Sequence, residues 1–489
     1  MARAGKERRK GRARSVVALG LALALTACSG RSTERIRDAG PTAAERDAAA
    51  RRAEDARLAR DFPLHGLVKA RQIRIQAGPD RATETVGWLR RGTRIRVARE
   101  PQRGPGCSEG WYALDPRGLV CRGTDVLVGE APPDPDFYSA PTAQDEPLPY
   151  DYFFVTSYTA QYFRRPEDDE WRAAIAYVGR YRHFAEEEPD RFQAFREGKL
   201  RGEPTKPEVV FDVSPRGYFV ASPHQESRDG ETWVRTVQGR WVALGHLNQR
   251  RGSSFHGFDL ESGTVTLPIA LVNRPTPVQR VVDRGRDGLR FVDDDTVMLT
   301  RYQILGPLWG GRTRLGDFMV HRIGAERYVK EWYVSVIDRV TPDFAVGDAE
   351  FWIHVDVSEQ TLVAYRGRTP IYGTLVSTGI PGHETPRGRF RIEQKFVGNT
   401  MDHLGPEAGA DDYRIEDVPW TQYFRDSLAI HAAFWHDRFG VARSHGCVNV
   451  APIDAHWLFD RTTPTLPRGW HGVPTRTTGE TGTRIWITP

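Results

Sequence analysis

The chain has 489 residues, 39% of them hydrophobic and 27% charged, an ordinary soluble balance with material for about two to four domains. Its formal net charge of +5 is misleading, because residues 1–27 hold seven Lys or Arg and a single acid, and the remainder carries 62 basic and 63 acidic residues. A body near −1 has no bulk attraction for nucleic acid, and 47 Gly and 33 Pro favour a turn-rich, mainly β architecture over helical bundles.

Taken in chain order, the first element is a targeting segment over residues 1–27. A basic stretch precedes the apolar run Val16–Leu25. Ten residues of helix rise roughly 15 Å, about half a hydrocarbon core, so the run suits a signal-peptide core and not a spanning helix. It ends in Leu25-Thr26-Ala27-Cys28. This resembles the lipobox of bacterial lipoproteins, which implies a lipid on Cys28, a membrane anchor and a place on the periplasmic side of the cell envelope. An ordinary signal peptide that happens to contain a Cys is the alternative. Residues 28–62 then read as a lipidated, solvated tether rich in Ala, Arg, Asp and Glu.

Residues 63–128 show short alternating stretches broken by Gly, at Ile73–Ile75, Gly92–Val97, Gly110–Leu114 and Gly118–Val120. Period-two alternation with these breaks predicts small antiparallel strands. The pattern resembles a bacterial SH3-like domain, a small β-barrel; wall-peptide binding and a plain spacer role both remain open for it. Cys107 and Cys121 lie within this segment, where an oxidising compartment would let them pair. Residues 129–149 form a stiff linker, with six prolines from Pro132 to Pro149. Residues 150–345 are the least readable region: helical over parts of Glu170–Lys199, otherwise β-rich, and of unassigned role. Two segments there, Thr232–Val242 and Tyr328–Val336, echo the first module.

Residues 346–489 are the most patterned. Phe351, Ile353, Val355 and Val357 alternate with Trp352, His354 and Asp356, which predicts a strand with one buried face. Thr361–Tyr365 is placed to pair with it across Ser358–Gln360. Ile371–Val376, Arg389–Ile392 and Arg484–Ile487 read as further strands, and Pro452–Phe459 as a short helix with Pro in its first turn.

The chemistry concentrates between His431 and Asn449. With Cys28 lipidated and Cys107 and Cys121 paired, Cys447 is an unpaired Cys in an exported chain, hence a candidate reactive thiol; a small buried hydrophobe is the bland alternative. A thiol near pKa 8.5 is a poor nucleophile at neutral pH unless its thiolate is stabilised, and an adjacent imidazole both stabilises the anion and accepts the proton. His445 is two residues from Cys447, and His431 is sixteen away, enough for a strand, a loop and a return. Leu428, Ile430 and Ala432 share one strand face and His431 takes the other. Gly446 lets the backbone pass close to a substrate, and successive N–H groups at such a turn can cradle an oxyanion. His354 and His456 read as structural, and His436 as undecided. Zinc on His431, His436, His445 and Cys447 is disfavoured, because the spacing lacks paired short-range ligands.

Ser444-His445-Gly446-Cys447-Val448-Asn449, with His431 upstream, resembles the signature of the L,D-transpeptidase family with its YkuD-type catalytic domain. Val376–Gly379, Thr385–Phe390, Val418–Phe424 and Gly482–Ile485 extend the likeness over roughly 350–489. The resemblance implies a β-sandwich domain with Cys447 as nucleophile, His431 as proton acceptor and the Ala432 carbonyl orienting that imidazole. It also implies His445 and Gly446 shaping the oxyanion site, with Tyr423, Ser444 and Asn449 near substrate. The implied reaction acts on peptidoglycan stem peptides through a thioester and needs no cofactor or metal; β-lactams of the carbapenem type are expected to acylate Cys447. Two alternatives stay open: a carboxypeptidase or endopeptidase using water as acceptor, and a non-catalytic wall-binding lipoprotein.

Overall fold

The computed structural model describes residues 43–134, 143–228, 230–283, 290–403 and 413–489. The signal-peptide run, Cys28 and residues 135–142 of the Pro-rich linker lie outside the described residues. The protein is mainly β. Ala43–Asp61 is a helix of mostly charged and Ala positions with no apolar face, so the second half of the tether segment is helical. No helix among the described residues is long and apolar enough to cross a membrane.

Leu64–Val68 is the middle strand of a three-stranded sheet, between Arg94–Val97 and Val126–Gly129. Gln72–Gln76 pairs with Thr85–Arg90, and Trp111–Ala113 with Leu119–Cys121. Four of these strands fall where the alternation places them. Cys107 and Cys121 are disulfide-bonded across 5.7 Å between Cα atoms. The core of the module includes Val68, Ile75, Leu89, Val97 and Val126, but it is completed by Trp470, almost four hundred residues away. Gly87 makes that approach possible: a Cβ there would come 2.2 Å from the Trp470 ring.

The module packs against the C-terminal domain. Trp88 pairs with Gly472, and its ring packs at a tilt with its centre 4.8 Å from that of Phe396. Arg90 forms a fully buried ion pair with Asp417 and donates to His471 at 3.1 Å. The far end of the linker runs along the C-terminal domain too, with Trp420 Nε1 donating to the Pro147 carbonyl at 2.7 Å. Proline stiffness is a local property; buried partners decide where the segment goes.

In the middle region, helices Asp168–Glu186 and Pro189–Arg196 pack through Tyr177, Phe184 and Phe195. The two echoing segments share a local form. Trp241–Ala243 runs through a 3₁₀ turn into Leu247–Arg250, and Arg327–Lys330 runs through another into Val334–Ile337.

The C-terminal domain is two sheets with a core between them. One sheet joins Phe351–Asp356 antiparallel to Thr361–Arg366 and parallel to Arg484–Thr488, with Gly388–Arg391 beyond. The other runs through Val448–Val450, Leu428–Ala432, Tyr413–Arg425 and Gln394–His403. Thr369–Ser377 belongs to both, so it turns the corner. Ile353, Val355, Ile430, Val448 and Ile485 fill the interior with Ala455, Leu458 and Phe459 of the helix Pro452–Arg461. The expected one-sided burial of Phe351–Asp356 is corrected. Trp352 is also fully buried, stacked at 4.3 Å on Tyr365, and His354 is buried against Trp486, because a second core covers the outer face.

Candidate active site

The strand that carries His431 pairs in parallel with the short strand that begins directly after Cys447. His431 lies opposite Asn449, with Ile430 opposite Val448 and Ala432 opposite Val450. Cys447 stands two residues before Asn449, a displacement of about 7 Å along the strand. Ile430 and Ala432 point into the sandwich core, so His431 projects from the opposite face.

The imidazole is buried and held by its own strand: Nδ1 lies 3.1 Å from the Ala432 carbonyl. A carbonyl only accepts, so the ring proton sits on Nδ1 and Nε2 is left as the basic atom. Burial pushes the His431 pKa down to about 4, which keeps the ring neutral at ordinary pH. Trp435 covers it, with ring centres 5.7 Å apart.

Cys447 is partly exposed, and its thiol points toward the Ser427 carbonyl at 3.9 Å. Desolvation pushes the thiol up to about 11, against a smaller opposing effect from the Ala429 N–H. Both groups are desolvated more strongly than either is compensated, which favours a neutral thiol and a neutral imidazole at rest.

The turn before the sulfur is tied internally. Ser444 Oγ donates to the Cys447 carbonyl at 2.5 Å and accepts the Gly446 N–H at 3.2 Å. Gly446 adopts φ +108°, and a Cβ there would meet Leu428 at 2.9 Å. Thr385 Oγ1 donates to the Gly446 carbonyl at 2.9 Å, and Ser444 is also bonded through its backbone to Thr378 and Ile380. The Gly446 amide is thus engaged within the turn by Ser444.

Ser444, Asn449 and Tyr423, expected near substrate, are buried, with exposures of 7%, 3% and 8%. The Tyr423 hydroxyl accepts from Asn399 at 2.7 Å, and the Asn449 amide lies 3.3 Å from His436 Nε2. His445 is exposed, its ring 4.5 Å from that of His383 and 5.8 Å from Tyr413. His354 bonds Thr488 at 2.9 Å, and His456 stacks on Trp420 at 4.2 Å. Among the described residues, no group of three or more His, Cys, Asp or Glu is arranged to hold a metal.

Sequence reasoning missed the clamp on the segment joining the base to the nucleophile. Phe434 stacks at 4.0 Å on Tyr152. Tyr302 donates to Asp437 at 3.0 Å and accepts the Phe439 N–H at 3.3 Å; Ser253 also bonds Asp437. Tyr152, Ser253 and Tyr302 all come from the middle region, whose composition gives no sign of this role. His383 and Tyr413 were missed as well, since neither stands in a readable motif.

Residues 350–487 match the family model of the YkuD L,D-transpeptidase catalytic domain. A curated relative, L,D-transpeptidase 1 of Mycobacterium tuberculosis, is 30% identical over 136 residues, covering 27% of this chain and 54% of the relative. The chain thus spans about half the length of that relative. Among solved structures, LdtMt1 in complex with imipenem is 24% identical at a TM-score of 0.24, covering 35% of this chain and 77% of that one. An L,D-transpeptidase of Enterococcus faecium carrying a cysteine-to-serine substitution is 21% identical at a TM-score of 0.23, covering 31% and 55%. The C-terminal part of the chain is a YkuD-type L,D-transpeptidase catalytic domain.

Proposed function

We propose that the protein is a cell-wall L,D-transpeptidase in which Cys447 forms a thioester with a peptidoglycan stem peptide. One observation carries the reading. The His431 ring is held by the Ala432 carbonyl with Nε2 left unprotonated, on a strand whose parallel neighbour begins directly after Cys447, two residues before the partner of His431, Asn449.

From a neutral pair, the sequence of events is general-base catalysis. As the Cys447 sulfur bonds to the carbonyl carbon of the third stem residue, its proton passes to His431 Nε2. The resulting imidazolium gives that proton to the departing amine of the terminal D-alanine, leaving the thioester. An acceptor amine attacks next; its proton returns through His431, and the thiol is released as the new amide forms. Ser444 and Thr385 hold the turn that presents the sulfur.

In this reading residues 1–27 direct export, Cys28 carries the lipid, and the envelope is the site of action. Carbapenems acylate Cys447 by the same attack. The experiment is mass spectrometry of disaccharide tetrapeptides incubated with the protein and with Cys447→Ala. New crosslinked products from the first and none from the second support the proposal. Tripeptides alone point to water as acceptor. Products from both preparations rule out Cys447 as nucleophile.

A further inference from the structure

A second cleft, lined by residues of the first module, the middle region and the strand Tyr413–Arg425, has a volume of about 1060 Å³. Six arginines line it: Arg71, Arg91, Arg196, Arg216, Arg240 and Arg414. Its lining carboxyl groups are those of Asp212 and Glu416. Glu416 is buried, accepts the Ala221 N–H at 3.3 Å, and is pushed up to about 8 by burial and by the neighbouring Asp417, so it offers little negative charge at neutral pH. Arg414 is 3.4 Å from Asp402. The other five arginines form no ion pair among the described residues. Arg71 is desolvated beside the Arg90–Asp417 pair, whose carboxylate offsets part of the repulsion, and Arg240 is desolvated beside Arg91.

Such crowding costs free energy in the empty protein, and in a body of near-zero net charge it is a local concentration of positive potential. Arg240 also packs on two rings, 3.9 Å from the Phe211 ring centre and 4.7 Å from that of Phe163. Tyr158, Tyr181 and the exposed Phe211 share the lining and offer ring faces beside the guanidinium groups. Guanidinium groups bind phosphate and carboxylate oxygens in pairs, and flat aromatic faces suit the C–H faces of sugar rings. The volume is at the upper limit for a small-molecule pocket, which suits a stretch of polymer.

We propose that this cleft binds an anionic polysaccharide, its charge supplied by phosphodiester or uronate groups, and so holds the enzyme on the wall apart from the catalytic site. The identification of the polymer rests on the wall-enzyme reading; the anion site itself does not.

The test is fluorescence anisotropy of labelled poly(glycerol phosphate), polygalacturonate and single-stranded DNA of matched length, with the full chain, Cys447→Ala and the exposed pair Arg196→Ala/Arg216→Ala. The expected result is saturable, salt-sensitive binding of one or both polysaccharide-type polymers. It should be unchanged in Cys447→Ala and weakened at least about tenfold in the double variant, whose thermal melt should match the parent. The phosphate and uronate arms identify the charged group. Equal or tighter binding of DNA, no binding of either polymer, or binding indifferent to the arginine pair overturns the proposal. Polymer binding without crosslinking activity would leave this site standing and defeat the transpeptidase reading instead.

Discussion

The resting state of Cys447 can be tested by alkylation as pH is varied. With the thiol near 11, the thiolate fraction at pH 7 is about 10⁻⁴, against about 3 in 100 for an ordinary thiol near 8.5, a difference of roughly 300-fold. Iodoacetamide should therefore react slowly at pH 7, and the rate should climb about tenfold per pH unit to pH 10 with no plateau. His431 is neutral down to about pH 4 and has no charge with which to lower the thiol. The variant His431→Ala should keep the same alkylation profile while losing acyl transfer, because only the substrate reaction needs a base at the sulfur. Intact-protein mass spectrometry at timed quench points, with Cys107 and Cys121 in their disulfide, isolates the single free thiol described. A plateau near pH 6–7 that disappears in His431→Ala would show a thiolate–imidazolium pair at rest and refute the neutral-pair account.

Three further predictions follow from the packing. Arg90→Ala leaves Asp417 buried without its partner and should destabilise the protein by about 3–5 kcal/mol, read by denaturant unfolding. Lys395 is buried, donates to the Thr462 carbonyl at 2.9 Å, and is pushed down by burial to about 7 from 10.5. Between those values the unfolded chain holds a proton that the folded chain lacks, so the contribution of Lys395 to stability rises with pH across about 7–10.5; Lys395→Met should flatten the stability–pH curve in that window. Tyr302→Phe removes the hydroxyl that joins Asp437 to the Phe439 amide, and should lower kcat roughly tenfold with little change in KM, since a loosened loop misplaces the base and nucleophile without touching substrate. Equal loss in KM would assign Tyr302 to binding.

The legible parts of this protein were those written in local chemistry. Alternation at Ile73–Ile75 and the position of Thr361–Tyr365 just across Ser358–Gln360 from a patterned strand marked real strands, and the short stretch Ser444–Asn449 was enough to locate the turn that carries the sulfur. The Pro452 helix began where a first-turn proline allows it. What escaped were long-range partners. Nothing around Gly87 announces Trp470, and nothing in Ser253 or Tyr302 announces Asp437. Trp352 and His354 read as an exposed face because alternation marks polarity and cannot tell that a second core will cover it. The thiol shift was unreadable for the same reason: sequence spacing brings His431 toward Cys447 but carries no measure of how dry their surroundings are.

The central claim is that the Cys447 sulfur becomes covalently bonded to a stem peptide. Rapid acid quench of the protein with a disaccharide tetrapeptide, followed by intact mass and peptide mapping, should find an adduct equal to the donor minus D-alanine on the peptide containing Cys447, released by hydroxylamine. Turnover that leaves this cysteine unmodified at every quench time, or an adduct mapped to another residue, would contradict it.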